Sequence, residues 1–233
     1  MQRKFNFAPE EYYHLYNRGT EKRTIFLDYG DYLRFLVLLH VANFSQPVHL
    51  SNHQGLSLPI TTLWLKSFGD KLVDIGAYCL MPNHFHLLVR EKKENGIPQF
   101  MKKLLTGYSM YFNKKRTRTG QLFEGTFKAT HVNNDEYLKY LFAYIHLNPV
   151  KSLDPKNWKN KIIKNKELAQ NHLDQYEYSS YPHYSGRMRP SDSILNPKVF
   201  PEYFTEYKDF SDFIKDWINY STDEEADESN HQG

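Results

Sequence analysis

His84 and His86 flank Phe85 in the hydrophobic run Met81-Pro82-Asn83-His84-Phe85-His86-Leu87-Leu88-Val89. The run reads as a strand, and a strand sends alternate side chains to one face. The two imidazoles therefore point the same way, and Phe85 enters the opposite layer. Two histidines at alternating positions of an otherwise apolar strand suit a divalent metal better than a structural role. Tyr144 and Asn148 stand four residues apart in Tyr144-Ile145-His146-Leu147-Asn148-Pro149-Val150. That spacing is one helical turn, so a phenol and an amide share a helix face. If helix and strand meet, a tyrosine nucleophile lies beside a metal, an arrangement able to cut a nucleic-acid backbone.

The chemistry needs that company. A free phenol has a pKa near 10, so about one in a thousand is ionised at pH 7, a shortfall of roughly 4 kcal/mol for a nucleophile. A metal on the scissile phosphate offsets it by withdrawing charge from phosphorus. Residue types alone leave several assignments open. The chain has 18 tyrosines, and Tyr137 and Tyr140 lie on the same expected helix as Tyr144. Asn148 reads as a helix C-terminal cap before Pro149. His146 falls on another face, structural or in touch with phosphate.

The elements that must position these groups follow from periodicity. Residues 12–17 look like a first strand, and Asp28–Val41 is apolar at helical spacing. Residues 43–70 read as an insertion or long loop with a short helix near Thr61–Phe68. Leu72–Leu80 and Phe85–Arg90 form a hairpin across Met81-Pro82-Asn83. A helix is expected over Ile97–Lys115, with Pro98 tolerated in its first turn. Gly120 breaks the chain, and Leu122–Val132 reads as a strand. Asn134 or Asp135 caps a helix to about Leu147. The order implies an α+β sandwich with helices on a mainly antiparallel sheet. One domain is expected over 1–152. A helical, loop-rich extension packs on it over 153–220, with helices near Lys161–Ala169 and Tyr207–Tyr220. An acidic, disordered tail follows over 221–233.

Composition narrows the function classes. One cysteine among 233 residues forms no internal disulfide and fits a reducing compartment. The start of the chain lacks an apolar signal core, and no stretch approaches the roughly 20 apolar residues that cross a bilayer. A cytoplasmic, nucleoid-associated protein with no membrane partner is expected. The net charge is only +3 but unevenly spread. Between Met101 and His131 stand Lys102, Lys103, Lys114, Lys115, Arg116, Arg118 and Lys128 against Glu124 alone, as a phosphate-rich partner asks. Arg18, Lys114, Lys115, Arg116 and Lys128 are the DNA-binding candidates. Cations along a backbone with nearby Tyr108, Tyr111 and Phe112 suit single strands, and a solubilising loop explains the same residues.

Four segments together resemble the HUH-type single-tyrosine transposases, in particular the REP-associated tyrosine transposases. They are Tyr13-His14-Leu15-Tyr16-Asn17-Arg18-Gly19, Met81-Pro82-Asn83-His84-Phe85-His86, Gly120-Gln121-Leu122-Phe123-Glu124-Gly125-Thr126-Phe127-Lys128-Ala129 and Tyr144-Ile145-His146-Leu147-Asn148-Pro149-Val150-Lys151. The resemblance covers about 12–150, with a weaker echo at Tyr178-Ser179-Ser180-Tyr181. It implies a ferredoxin-like HUH sandwich that binds single-stranded or hairpin DNA as monomer or homodimer. It further implies cleavage by Tyr144 through a covalent 5′-phosphotyrosine, with His84, His86 and Asn148 holding Mg2+ or Mn2+. Two departures stand out. The 43–70 stretch is long for the family, and Thr126 occupies a place where arginine is common. A non-catalytic DNA- or RNA-binding derivative is the rival reading, and a water-using metal phosphodiesterase is a third. The acidic tail could compete with DNA for the basic face.

Overall fold

The computed structural model describes residues 6–47, 60–153 and 163–220. Its first part runs β1 (Tyr12–Arg18), α1 (Tyr29–Val41), β2 (Val73–Met81), β3 (His84–Glu91), α2 (Gly96–Lys115), β4 (Lys128–Val132) and α3 (Asp135–Leu147). The strands form one sheet in the order β2-β3-β1-β4, and every neighbouring pair is antiparallel. Each β-α-β unit is thus split by a strand of the other, which is the ferredoxin-like arrangement.

Strand alternation sorts the sheet into two unlike faces. Tyr13 and Leu15 of β1 with Phe85, Leu87 and Val89 of β3 pack on Phe35, Leu39, Phe100, Leu104 and Tyr108 of α1 and α2. On the other face Ala77, Cys79, Met81, Leu88 and Val132 meet Leu138, Leu141, Phe142 and Ile145 of α3. Both α1 and α3 are capped as their sequences require. Asp28 accepts from the Asp31 amide, and Asn134 Oδ1 accepts from the Tyr137 amide at 2.7 Å, satisfying donors a free helix end would leave unpaired.

Residues 163–220 add α4 (Lys166–Gln175), a helical turn at Tyr181–Tyr184 and α5 (Tyr207–Tyr220). Their core joins Ala169, Leu173, Tyr181, Phe210, Ile214 and Ile218 to Ala143, Leu147 and Val150 at the end of α3. The Ser180 amide bonds to the Tyr78 carbonyl, so this part also covers the outer edge of β2.

Three expectations need correction or bounding. The strand foreseen over Leu122–Val132 shrinks to Lys128–Val132. Gly120 and Gly125 hold φ of 87° and 65°, left-handed conformations that break an extended run. The helix foreseen over Lys161–Ala169 begins at Lys166 and runs to Gln175, because Asn165 caps it by accepting from the Leu168 amide; residues 161 and 162 lie outside the described residues. The short helix near Thr61–Phe68 is a 3-10 stretch, Ile60–Leu65, whose Leu63 and Trp64 are buried in the core. Residues 48–59 of the expected insertion and the whole 221–233 tail lie outside the described residues. Among the described residues no helix is long and apolar enough to cross a membrane.

Candidate active site

The α3 face of the sheet departs from apolar packing at one end, where the β2–β3 turn brings His84 and His86 to the surface of the layer. Cross-strand register sets Tyr16 of β1 opposite His86 and Arg18 opposite His84. The two imidazoles stand 5.1 Å apart between centroids, nearly perpendicular at 89°. Tyr144 of α3 meets His86 and His14 edge to face, its ring centroid 5.4 Å from that of His86 and 5.9 Å from that of His14. Tyr140 stacks on Tyr144 at 5.9 Å, and Tyr137 stacks on Tyr140 at 6.1 Å. Among the described ring contacts, Tyr144 is the α3 tyrosine that touches the histidines.

Three further groups join the site that sequence spacing did not single out. His14, buried on β1, has Nε2 2.9 Å from His86 Nδ1. Tyr16 lies 5.8 Å from His86, ring to ring. Lys151, one turn past Asn148, is close enough for its charge to act on both His84 and His86. The usable signal for His14 was alternation on β1, which puts His14, Tyr16 and Arg18 on one face. Only the β1–β3 register turns that pattern into a site.

Burial governs the electrostatics. It pushes His84 down to about 4, assisted by the Lys151 and Arg18 charges. It pushes His86 well below the ordinary imidazole value, with His14, His84 and Lys151 adding to the effect. Both rings are therefore neutral at pH 7 and carry a lone pair. Burial also raises the Tyr144 phenol, with Tyr140 acting in the same direction and a hydrogen bond from Asn148 opposing it. Alone, this phenol is a weaker nucleophile than one in water.

The donor set fits a hard divalent cation. Asn83 Nδ2 donates to the Lys22 carbonyl, which orients the amide. Its Oδ1 then accepts from His84 Nδ1 at 2.6 Å, leaving His84 Nε2 as the lone-pair nitrogen. Asn148 Nδ2 donates to the Tyr144 carbonyl at 2.7 Å, so its Oδ1 stays available as a hard ligand. Two imidazole nitrogens and an amide oxygen, if they converge, would suit Mg2+ or Mn2+ better than structural zinc. Among the described residues no group of three His, Cys, Asp or Glu gathers to hold a metal.

The basic candidates divide. Arg18 Nε pairs with Glu124 Oε2 at 2.8 Å at the mouth of the site. Lys128 lies over the Tyr16 ring, its Nζ 6.0 Å from the centroid, and Lys114 is exposed at the end of α2. Lys115 and Arg116 are committed elsewhere. Lys115 Nζ lies 2.7 Å from both Asp28 Oδ1 and Asp31 Oδ1, and Arg116 Nη2 lies 2.6 and 3.0 Å from their second oxygens. These pairs tie the end of α2 to the start of α1. His146 is wholly buried, its ring nitrogens bonded to the Phe142 carbonyl and the Ser180 hydroxyl, and is structural. Tyr178 stacks on Tyr32 at 3.6 Å, Tyr181 is buried, and the Tyr184 hydroxyl donates to the Gly76 carbonyl. That aromatic cluster anchors the 163–220 region.

Comparison with known proteins adds two similarities. A solved structure described as a REP-associated tyrosine transposase bound to a REP hairpin aligns over 82% of this chain and 89% of that chain, at 12% identity and a TM-score of 0.47. No curated protein matches the sequence. Residues 56–148 match the family model described as IS200-like transposase, a stretch that carries His84, His86, Tyr144 and Asn148. Over that stretch the chain is similar to the IS200-like transposases.

Proposed function

We propose that the protein is a metal-dependent DNA strand transferase or nickase. It cleaves single-stranded or hairpin DNA through a covalent 5′-phosphotyrosine on Tyr144. The observation that carries this reading is the edge-on contact of Tyr144 with His86 across the sheet–helix interface, at 5.4 Å between centroids. His84, His86 and Asn148 would hold Mg2+ or Mn2+. When bound, that ion supplies Lewis-acid charge at the scissile phosphate. Tyr144 Oη attacks phosphorus and loses its proton, the P–O3′ bond breaks, and the departing 3′-oxygen takes up a proton. Bond energy is kept in the phosphotyrosine, so the same or another 3′-hydroxyl can reverse the step and join strands. Arg18 and Lys151 place positive charge beside the phosphate, and Lys114 and Lys128 follow the backbone. Lys115 and Arg116 reach DNA only by leaving their aspartates.

The test is incubation of the full chain with end-labelled hairpin and single-stranded oligonucleotides and Mn2+, resolved on a denaturing gel. The expected result is a protein-linked 5′ end that disappears in Tyr144→Phe. An adduct that persists in Tyr144→Phe removes this tyrosine from the role. Free ends throughout point to water as nucleophile, and binding without cleavage points to a non-catalytic derivative.

A further inference from the structure

The two ligand candidates on β3 are held by different kinds of partner. His84 Nδ1 faces an amide oxygen whose orientation is fixed by the Lys22 carbonyl, so its proton must sit on Nδ1. His86 Nδ1 instead faces another imidazole, His14 Nε2, at 2.9 Å. An imidazole can donate or accept, so this contact alone allows two arrangements. In one, His86 Nδ1–H donates to His14 and His86 Nε2 is bare. In the other, His14 donates and His86 carries its proton on Nε2, which abolishes that nitrogen as a ligand or proton acceptor.

We infer that His14 is the positioning residue of the candidate site: it accepts the Nδ1 proton of His86 and so holds that ring with Nε2 unprotonated. The inference rests on reading His84 and His86 as one pair with a common task. A pair serving one cation or one phosphate needs the same tautomer on both rings, and Asn83 has already set it for His84. The position of His14 allows the role. It is 6% exposed, and its ring stacks against His86 at 5.0 Å and 24° and against Tyr16 at 5.1 Å and 30°. Tyr144 closes its edge at 5.9 Å. A ring so enclosed on three sides keeps its angle, and therefore fixes the rotation of His86 as well as its proton. Partners of this kind, one step removed from a metal, orient the ligand and raise its basicity. Sequence distance hid the relation, because the two histidines are 72 residues apart.

The experiment uses the full chain labelled with 15N-histidine, free of metal at pH 7, with the His86 signals identified by their loss in His86→Gln. The wild type is expected to show His86 protonated on Nδ1. His14→Leu, which fills the space without an acceptor, is expected to release that preference. His14→Gln, whose amide oxygen can take the place of Nε2, is expected to restore it. In parallel, Mn2+ uptake is titrated by the free-ion EPR signal. His14→Leu should weaken binding by about 10- to 100-fold, with His14→Gln within about threefold of wild type. A wild-type His86 protonated on Nε2 overturns the inference, as does a His14→Leu variant that binds Mn2+ like the wild type. A fold lost in His14→Leu leaves the wild-type spectrum and His14→Gln to decide. The metal reading fails separately: a wild type that takes up no more Mn2+ than His84→Ala removes the cation, while the tautomer measurement still decides the role of His14.

Discussion

The two faces of the sheet share the same strands and differ in almost everything else. Against α1 and α2 the sheet offers Tyr13, Leu15, Phe85, Leu87 and Val89, all essentially inaccessible. Against α3 the alternate positions of the same strands offer His14, Tyr16, Arg18, His84 and His86. The first face can be close-packed because its polar groups are few, the Tyr13 hydroxyl accepting from the Ala8 amide. The second must match donors with acceptors, and does so with Asn83, His14 and the Tyr144 edge. One face is therefore apolar throughout its contact with α1 and α2, and the other joins an apolar core to the candidate site at one end. Adjacent residues of β3, one bond apart in sequence, belong to different tasks.

That division is broken most directly by substituting neighbours. His86→Ala should abolish the covalent adduct, a loss greater than the about 10- to 100-fold typical of a partner one step removed from a metal. Phe85→Ala should instead cost about 3–5 kcal/mol of unfolding free energy by urea titration. Its adduct formation should fall only with the folded fraction. Equal stability losses in the two variants, with activity tracking stability in both, would dissolve the distinction between the faces.

Acid sharpens it. His14 and His84 are held near 4 by burial, against about 6.5 in an unfolded chain. Between these values the unfolded chain binds protons that the folded one refuses. Their contribution is full above pH 6.5 and is lost as the pH falls to about 4, with a slope of up to about 1.4 kcal/mol per pH unit for each imidazole. His86 acts in the same direction, as does His146, pushed down to about 3 by burial. His40 under α1 is also lowered by burial. The ion cluster at the α1–α2 junction responds later. Asp28 is held at about 2 by its Lys115 hydrogen bond, so its contribution persists above the ordinary carboxylate value and is lost only as the pH falls towards 2. Urea midpoints measured from pH 7 to 3 should decline first through the histidines. The decline should be shallower in His84→Ala and His14→Gln. A midpoint flat from pH 6.5 to 4 would contradict the neutral, buried state of the α3-face rings.

What was legible in the sequence was whatever local period decides. The His84-Phe85-His86 alternation, the Tyr144–Asn148 turn and the cap at Asn134 are each written within a few residues. What was not legible depends on register or on distant partners. His14 becomes part of the site only when β1 lies against β3 with Tyr16 opposite His86. β4 was overread because Leu122, Phe123 and Phe127 look strand-like, while the positive φ at Gly120 and Gly125 turns the chain before Lys128. Lys115 and Arg116 resembled free backbone-binding cations because the aspartates that hold them lie more than 80 residues earlier.

The smallest expected effects separate those cations from their neighbour. Lys114 is exposed at the end of α2, whereas Lys115 Nζ lies 2.7 Å from each of two aspartates. Lys115→Ala should cost about 1 kcal/mol of stability, since it leaves the wholly buried Asp31 with Arg116 as its remaining cation. The salt dependence of oligonucleotide binding should not change. Lys114→Ala should do the reverse: stability within about 0.5 kcal/mol, and a slope of log affinity against log salt shallower by about 1, as one released counterion requires. Adjacent lysines with opposite signatures would show that the charge of this helix end serves both α1 and the partner. If Lys115→Ala flattens the salt slope and spares stability, the aspartate pairs yield to phosphate, and the α1–α2 junction is itself part of the DNA surface.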